Sequence, residues 1–530
     1  VTVAASKDTA VGAAGAVNVI TSDVVAELAG ATVTAGGNVA VTATTTPTIR
    51  SLSMGVSGSG ETAVTVTALG NVIVSTVTAG ISSGSTVAAG GNVTLSAQDI
   101  APSPLPDWML TATQKAAVED ALADSPIDLR SSILAINISV AGSGETAVGV
   151  GIMGNVVTNR TKAGISNSIV RAGVNAAGTT TNAAADVLLT SHSTAGILAM
   201  TLGLGASSGS TAVQATGFGN VIVTTVDAII AAGATVWAGD QVTLTAGDDS
   251  SIRSAGLSIA ASSTNAIGAI IGANVITSRI AAEIAGSTVK NGGALSLTAL
   301  SDADVLALSG GVGGSGETAV LVSLSANVIA GTTAAVITDA TGLGYSLTPA
   351  GGAAKAVDPT TQLNSAGDTI DLGTGHKLKT GDAVVYSSGG GADIGGLRDG
   401  TTYYVIVQDS APGKVKLAAT AKDAKAGKAI DLGAPASSSV RSDVQPGGSV
   451  ALTATNTSSI DALAFGVSGS GTTAVGVALA ANVIANSTET AVSGTTLSTP
   501  GALSLTSESS AIIRTLAIGV SASSTTAVQV

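Results

Sequence analysis

Apolar and polar residues alternate with a period of two along most of the 530-residue chain. Such alternation is typical of β-strands, and Gly-rich turns interrupt it at short intervals. Leu52, Met54 and Val56 share one face of a strand in this way. Between residues 49 and 97 the pattern predicts five strands, at Ile49–Ser57, Thr62–Leu69, Val72–Ala79, Ser85–Ala88 and Val93–Ala97. The chain is therefore predicted to be all-β.

The alternating segments recur as a repeat of 53–54 residues that is present about eight times. Its anchor is the triplet Thr-Ala-Val, which begins, for example, at Thr9 and Thr62. Nine residues after each anchor, wherever the chain extends that far, lies an asparagine; these are Asn18, Asn71, Asn155, Asn220, Asn274, Asn327 and Asn482. Self-similarity of this length indicates one structural unit stacked many times.

The repeat predicts a parallel, right-handed β-solenoid in which equivalent residues stack along one axis. Each unit is expected to form two coils of about 27 residues, with a corner at Gly70-Asn71. Equivalent asparagines would lie about 10 Å apart along the axis and form an internal amide ladder at this corner. Two alternatives stay open. One is an antiparallel fold with a hairpin turn at segments such as 57–61, and the other is ligand binding by the asparagines.

Departures from the repeat predict the organisation of the chain. Solenoid repeats are expected at 1–99, 131–339 and 442–530, a Pro-rich and helical insert at 100–130, and an inserted small all-β module at 340–441. A shorter insertion lies near residues 171–183. The expected fold is thus an all-β parallel β-helix of about eight repeats that carries a helical insert and a β module.

The insert at 100–130 differs from the repeat in composition. Its APSPLPDW segment is extended by proline, and the TATQKAAVEDALADSP segment predicts a helix with Thr113 as its N-cap. Trp108 is a candidate contact anchor for a neighbouring subunit or strand. The simpler interpretation is a helix that covers a seam of the solenoid.

The insert at 340–441 concentrates charge and tyrosine. Residues 355–431 contain nine Lys or Arg, nine Asp and three of the four Tyr residues of the chain. Strand-like runs separated by Gly-rich turns predict a compact β module. His376, Tyr386, Tyr403 and Tyr404 form a candidate binding patch for a glycan or a protein. Alternatively, the aromatic residues form the module's own core.

Four acidic residues immediately precede the anchor triplets, at Asp8, Glu61, Glu145 and Glu317. Carboxylates stacked on adjacent turns are candidate calcium ligands, because calcium prefers carboxylate oxygens. Ordinary solvated turn positions are the alternative, since the Gly-rich calcium-binding nonapeptide of β-roll proteins is missing from the chain. No other metal or cofactor is expected.

Composition narrows the classes of function. Aromatic residues make up 2% of the chain and charged residues 10%, and 68 residues are glycine, so a thin core of small and β-branched side chains is expected. The chain has no cysteine, which excludes disulfides and thiolate sites. Its net charge is −13 without a basic stripe, which argues against nucleic-acid binding. A membrane-spanning helix needs about 18 consecutive apolar residues, and no apolar run in the chain is that long.

The segments GGNVTLSA, SGSGETAV and ANVIANST resemble the repeat regions of very large secreted bacterial surface proteins, of the filamentous-haemagglutinin-like and giant adhesin kind. The GHKLKTGDAVVY and DGTTYYVIV segments are similar to a module inserted in such proteins. The resemblance implies an elongated β-helical stalk or fibre at the bacterial cell surface, used in attachment, aggregation or sheathing. Because both ends cut through a repeat, the chain is expected to be an excerpt of a longer array.

The leading hypothesis is therefore a structural extracellular protein that is not an enzyme. Its expected partners are copies of itself or a continuing chain, joined end to end, and a cell-surface glycan or protein. One alternative is a glycan- or protein-binding module at 355–431. More distant alternatives are an ice-binding surface and a β-helical polysaccharide-processing enzyme, which would need clustered carboxylates and aromatic sugar platforms.

Overall fold

The computed structural model describes residues 1–102, 111, 113–114, 130–339, 345–349, 355–357, 359, 361–387, 393–398, 400–408, 411–433 and 442–530. The strands in chain order are β1 Thr2–Ser6, β2 Thr9–Ala29, β3 Thr32–Ala35, β4 Val39–Thr45, β5 Ile49–Ser59, β6 Thr62–Ser82, β7 Thr86–Ala89, β8 Val93–Asp99, β9 Ile133–Ser143, β10 Thr146–Ser166, β11 Ile169–Ala172, β12 Val187–Ser193, β13 Gly196–Ser207, β14 Thr211–Ala231, β15 Thr235–Ala238, β16 Val242–Ser262, β17 Asn265–Ala285, β18 Thr288–Asn291, β19 Leu295–Ser315, β20 Thr318–Thr338, β21 Ser346–Pro349, β22 Lys355–Ala356, β23 Leu363–Asn364, β24 Thr369–Asp371, β25 Ala383–Ser387, β26 Thr402–Gln408, β27 Ala411–Ala418, β28 Asp443–Pro446, β29 Val450–Ser470, β30 Thr473–Ser493, β31 Thr496–Leu497, β32 Leu503–Ser523 and β33 Thr526–Gln529. A short helix, α1, spans Ala421–Lys425.

Three parallel sheets form a β-solenoid, which confirms the predicted fold class. Sheet A has 11 strands, sheet B has 8 and sheet C has 7. Within a coil the chain runs along the four-residue strand of sheet C, then along sheet A, and then along the 21-residue strand of sheet B, as in β3 to β6. Both long sheets are about 70 Å wide at about 3.3 Å per residue.

Each repeat forms a single coil, so the prediction of two coils per unit is wrong. Strand β2 pairs with β6 in parallel, and Asn18 lies directly opposite Asn71, one repeat later. The alternation in β6 continues unbroken through Gly70 and Asn71, where a corner was expected. Neighbouring coils are therefore separated by one strand spacing of about 4.8 Å rather than by about 10 Å.

The segment 57–61 does not form a hairpin within one sheet. Two residues, Gly60 and Glu61, connect β5 to β6. Strand β5 pairs with β1 and β9 in sheet A, whereas β6 pairs with β2 and β10 in sheet B. The turn therefore carries the chain from one long sheet to the other and brings the two sheets close together at this end of the coil.

The interior of the coil changes from one end to the other. At the end closed by sheet C, which we call the wide end, large apolar side chains such as Ile81, Val87 and Leu95 fill the space between the sheets. At the opposite end, the narrow end, most inward positions carry small residues such as Gly55 and Thr65, with Gln214 and Leu321 as larger exceptions. The sheets are so close there that a Cβ atom at Gly55 would lie 2.7 Å from the Thr65 methyl group.

Stacking of the solenoid continues across the large insert. Strand β20 pairs with β30, so that Asn327 lies opposite Asn482, and β18 pairs with β28 in sheet C. The insert itself forms a seven-stranded sheet in the order β22-β21-β25-β26-β27-β24-β23, in which all pairs are antiparallel. Its core is separate from that of the solenoid and includes Tyr345, Tyr386 and Val405.

Most of the insert at 100–130, including Trp108, lies outside the described residues. Thr113 is helical rather than the N-cap, so that prediction is wrong. The backbone N–H of Gln114 donates to Thr111 Oγ1 at 3.3 Å, and Gln114 Oε1 accepts from the backbone N–H of Thr111 at 3.0 Å. These reciprocal bonds are those of a capping box and identify Thr111 as the N-cap.

Candidate functional site

The recurring asparagines form a hydrogen-bonded ladder inside the solenoid, in the middle of the sheet B strands rather than at a corner. Each side-chain Nδ2 donates to the Oδ1 of the asparagine one coil further on, at 2.7–2.8 Å, from Asn18 through to Asn482. A shift of one residue in any strand would turn its asparagine outward and leave the neighbouring amides unpaired. The ladder thus fixes the register of the stack.

A second row of polar side chains crosses the interior nearer the wide end, and we call it the polar seam. Inward residues of sheet A face inward residues of sheet B there, as shown by the 2.7 Å bond from Asn486 Nδ2 to Asn456 Oδ1. The seam comprises Asp99, Ser193, Asp248, Ser301 and Asn456 from sheet A and Ser75, Asn159, Thr224, Ser278 and Asn486 from sheet B.

Two carboxyl groups of the polar seam are completely buried. Asp248 accepts hydrogen bonds from Thr224 Oγ1 at 3.0 Å and from Ser250 Oγ at 2.9 Å. Burial raises the pKa of Asp248 to about 7, against the lowering effect of these hydroxyl groups. Burial likewise raises the pKa of Asp99 to about 6, against a smaller lowering effect of Ser75. Because the coil encloses both groups, neither can act on an external substrate.

No sequence motif marks these two aspartates, although the alternation of apolar and polar residues contains the signal. Asp99 lies in the same inward phase of β8 as Val93, Leu95 and Ala97. An acidic residue in the phase of a strand's core positions is rarely found, because burying a charge without a partner is costly. The phase of the pattern, rather than any local motif, therefore identifies a buried carboxyl group.

The outer surface of the narrow end carries the large apolar side chains. We define the apolar face as the outward positions of Leu52, Met54 and Val56 in β5 together with every residue in register with them in β9, β13, β16, β19, β29 and β32. None of these 21 positions is charged or polar, and 19 are Leu, Ile, Val, Met or Phe. Leu52 is 53% exposed and Met200 is 45% exposed.

A shallow groove of about 760 Å³ runs along the solenoid axis at the border of the apolar face. Leucines such as Leu198 and Leu306 line it, and Arg253, Asp461 and Arg514 provide its charged groups. Arg514 Nε donates to Asp461 Oδ1 at 2.5 Å, and this hydrogen bond lowers the pKa of Asp461. These charged residues belong to the column next to the apolar face, in register with Arg50.

Sheet A also carries ion pairs on its outer surface. His192 Nε2 lies 3.4 Å from Asp249 Oδ2, and the hydrogen bond to Asp249 raises the pKa of this histidine. Arg253 Nη2 lies 3.9 Å from Asp304 Oδ2. These are surface ion pairs, which contribute little to stability individually.

The four acidic turn residues, Asp8, Glu61, Glu145 and Glu317, are all exposed. They lie at the turns between sheets A and B, where main-chain bonds connect consecutive coils, such as that from Glu145 N to Glu61 O at 3.1 Å. Across the residues that the structure describes, no three or more His, Asp or Glu side chains are grouped so that they could hold a metal ion.

The aromatic residues of the module do not form a common surface. Tyr386 and Tyr403 are buried and pack edge to face with ring centroids 6.5 Å apart. Their hydroxyl groups accept hydrogen bonds from the backbone N–H groups of Ile394 and Arg398, respectively. His376 is also buried, and its Nδ1 accepts from Leu378 N at 2.9 Å.

Tyr404, the fourth residue of the candidate patch, is only partly buried and packs against the small cluster beside α1. The patch is therefore divided between the inside of the module and one of its edges. This arrangement matches the alternative in which the aromatic residues form the core of the module.

Comparisons with family models, curated proteins and solved structures find no match to this chain. In the described ranges, no helix is both long and apolar enough to cross a membrane. Conclusions about function therefore rest on three features of the molecule itself: the in-register stack, the buried polar rows and the exposed apolar face.

Proposed function

We propose that this chain is a structural segment of an extracellular fibre or adhesin stalk on a bacterial cell surface, and that it is not an enzyme. The unbroken register of the stack carries the proposal. Eight strands of sheet B pair in sequence from β2 to β33, and the spacing between partners stays at one repeat except where an insert intervenes.

Such a stack is suited to bear load and to act as a spacer. Every coil is bonded to its neighbours by main-chain hydrogen bonds that run along the axis, and inside it the asparagine ladder adds a side-chain bond per coil. The two carboxyl groups with strongly raised pKa values, Asp99 and Asp248, are enclosed in the coil. This arrangement favours a mechanical role over a catalytic one.

Lengthening the stack tests the structural role. Duplicating the unit 211–264 four times should extend the molecule along its axis by about 19 Å, at about 4.8 Å per coil, and small-angle X-ray scattering or electron microscopy would measure this. A Gly/Ser segment of the same total length, inserted at the same site, is the control and should leave the axial length unchanged. A duplication that adds flexible mass without adding length contradicts the proposal.

The cellular location needs a separate measurement. Antibodies against the module should label intact cells of the source bacterium as strongly as permeabilised cells. Labelling that appears only after permeabilisation would show that the chain lies inside the cell, and would contradict the extracellular part of the proposal without affecting the spacer role.

A further inference from the structure

The apolar face exposes large apolar side chains on the outside of the coil, where a protein surface normally carries polar ones. At the narrow end, small residues such as Gly55 and Ser57 point inward, while Leu52, Met54 and Val56 point outward. This inversion persists through seven consecutive coils of sheet A. A continuous apolar surface on a soluble protein usually marks an interaction site.

The area of the face matches what a stable pair of proteins needs. Three columns of outward residues are about 20 Å wide, and seven coils are about 34 Å tall, so the face covers about 700 Å². A specific interface buries about 800 Å² on each partner. Scattered exposed hydrophobic residues do not reach this size in one piece.

The geometry of the face favours a second solenoid as the occupant. Its side chains form straight columns that repeat at about 4.8 Å along the axis. The grooves between these columns can accept the side-chain columns of a facing sheet that has the same repeat. An identical copy provides that repeat and the same absence of charge. Sheets that pack in this way interdigitate their side chains at about 10 Å separation.

The outer surface of sheet B at the narrow end is also apolar, but its side chains are smaller. Of the 21 outward positions in register with Val64, Val66 and Ala68, five are Leu or Ile and six are Gly or Ala, whereas in the apolar face of sheet A 14 are Leu, Ile, Met or Phe and two are Gly or Ala. Fewer large side chains leave less apolar area to bury. Sheet B therefore serves as the internal control for sheet A.

We infer that two copies of this chain associate side by side through the apolar face of sheet A, each covering the face of the other. The contact is isologous, so a two-fold axis passes through its centre. Leu257 occupies the middle column of the fourth of the seven coils, which is the centre of the face. The pairing goes beyond the proposed function and does not depend on where the chain resides.

Disulfide cross-linking tests the pairing, because the chain has no cysteine of its own. In a Leu257→Cys variant, the two thiols meet at the two-fold axis whether the copies run parallel or antiparallel. A mild oxidant should convert most of this variant to a covalent dimer on a non-reducing gel. The matched control is Ile271→Cys, an exposed position on sheet B that should remain monomeric.

A charge variant provides the second measurement. Leu308→Lys combined with Leu463→Lys places four like charges in the paired interface and should weaken association at least tenfold by sedimentation, with the circular dichroism spectrum unchanged. Ile271→Lys should have no such effect. Association that survives the double variant, or equal cross-linking at positions 257 and 271, would overturn the inference.

Other occupants would give different results. Flotation of a monomeric chain with phosphatidylcholine vesicles, without cross-linking at position 257, would assign the face to lipid and overturn the pairing. End-to-end association alone would produce assemblies that lack the cross-link at position 257, with the same consequence. The axial-length experiment is independent of all these outcomes.

Discussion

The wide and narrow ends of each coil are made from the same alternating sequence, yet they place their large apolar residues on opposite sides. At the wide end, Leu95 and Ile81 point inward and are fully buried. At the narrow end, Leu52 points outward and Ser53 points inward. The distance between sheets A and B accounts for the difference: a short strand separates them at one end, and a two-residue turn joins them at the other.

A period of two in the sequence determines only part of the structure of a strand. Alternation fixes which residues share a face of a strand, but not which face is enclosed. The enclosed face is decided by the space available, and a gap closed by a two-residue turn accommodates Gly, Ala, Ser and Thr. Large apolar residues in such a segment then remain outside and need another surface to cover them.

The largest expected effect comes from truncating a core residue at the wide end. Leu244→Ala removes a fully buried side chain and should reduce the free energy of unfolding by about 2–5 kcal/mol. Leu308→Ala makes the same change on the apolar face and should alter it by less than about 0.5 kcal/mol in dilute solution. Urea unfolding of both variants measures the contrast, and equal losses would contradict the two-ended description.

The buried carboxyl groups predict that stability depends on pH. Folding raises the pKa of Asp248 to about 7 from an ordinary value of 3.8, so the folded chain holds a proton that the unfolded chain releases. The resulting stabilisation is complete below about pH 4 and is lost as the pH rises through about 7, at about 1.4 kcal/mol per unit of pKa shift.

Thermal unfolding between pH 4 and pH 8 measures this dependence. Asp248→Asn should remove the larger part of the loss and Asp99→Asn a smaller part, because the pKa of Asp99 is raised less and an amide stays neutral throughout. His192 has a raised pKa as well, and its contribution also declines with rising pH, so Asp248→Asn compared with His192→Gln separates the two. A melting temperature that does not fall between pH 4 and pH 8 would be inconsistent with a protonated Asp248.

Breaking the asparagine ladder should cost about as much as the loss of Leu244, because two buried polar groups lose their partners. Asn220→Ala leaves Asn155 Nδ2 without its acceptor, and Asn274 Oδ1 without its donor, inside the coil. An unpaired buried polar group costs about 1–3 kcal/mol. Asn18→Ala, at the first rung of the ladder, leaves a single partner unpaired and is the matched control. Equal losses for both variants would argue against a continuous ladder.

The smallest expected loss of stability comes from adding a methyl group inside the narrow end of the coil. Gly55→Ala places a methyl group 2.7 and 2.8 Å from the methyl groups of Thr65 and Thr67, and should cost about 1–3 kcal/mol. Gly58→Ala lies in the same strand, where an added Cβ meets nothing within 4 Å, and should be close to neutral. A neutral Gly55→Ala would mean that the sheets are further apart than described.

The sequence was sufficient to predict the repeat and the parallel stack, because these depend on residues recurring in register. It misled on the number of coils. Gly70 and Asn71 are typical turn residues, but in β6 they lie in the middle of a 21-residue strand, where the amide of Asn71 is bonded to the coils on both sides. A turn residue whose bonding is satisfied by stacking does not end a strand.

At the narrow end, the sequence could not predict which face of the strand is enclosed, for a related reason. Whether Leu52 or Ser53 is enclosed depends on a sheet that lies on the far side of the coil, and no local pattern encodes that distance. For the aromatic residues of the module, by contrast, one of the two sequence-based interpretations agrees with the structure. Tyr386 and Tyr403 lie inside the antiparallel sheet with their hydroxyl groups bonded to the backbone, as the core alternative anticipated.

The pairing of β20 with β30 has a consequence for how the chain folds. Partners in neighbouring coils are normally 53–54 residues apart, whereas Asn327 and Asn482 meet across 155 residues. The entropy of closing a loop grows only with the logarithm of its length, so this threefold longer connection costs about 1 kcal/mol more than an ordinary one. Each new coil otherwise closes a loop of constant size on a template that is already formed. Growth of the solenoid should thus proceed at a steady rate per coil, whatever the total length of the chain, and should slow most at the module and less at the two shorter inserts.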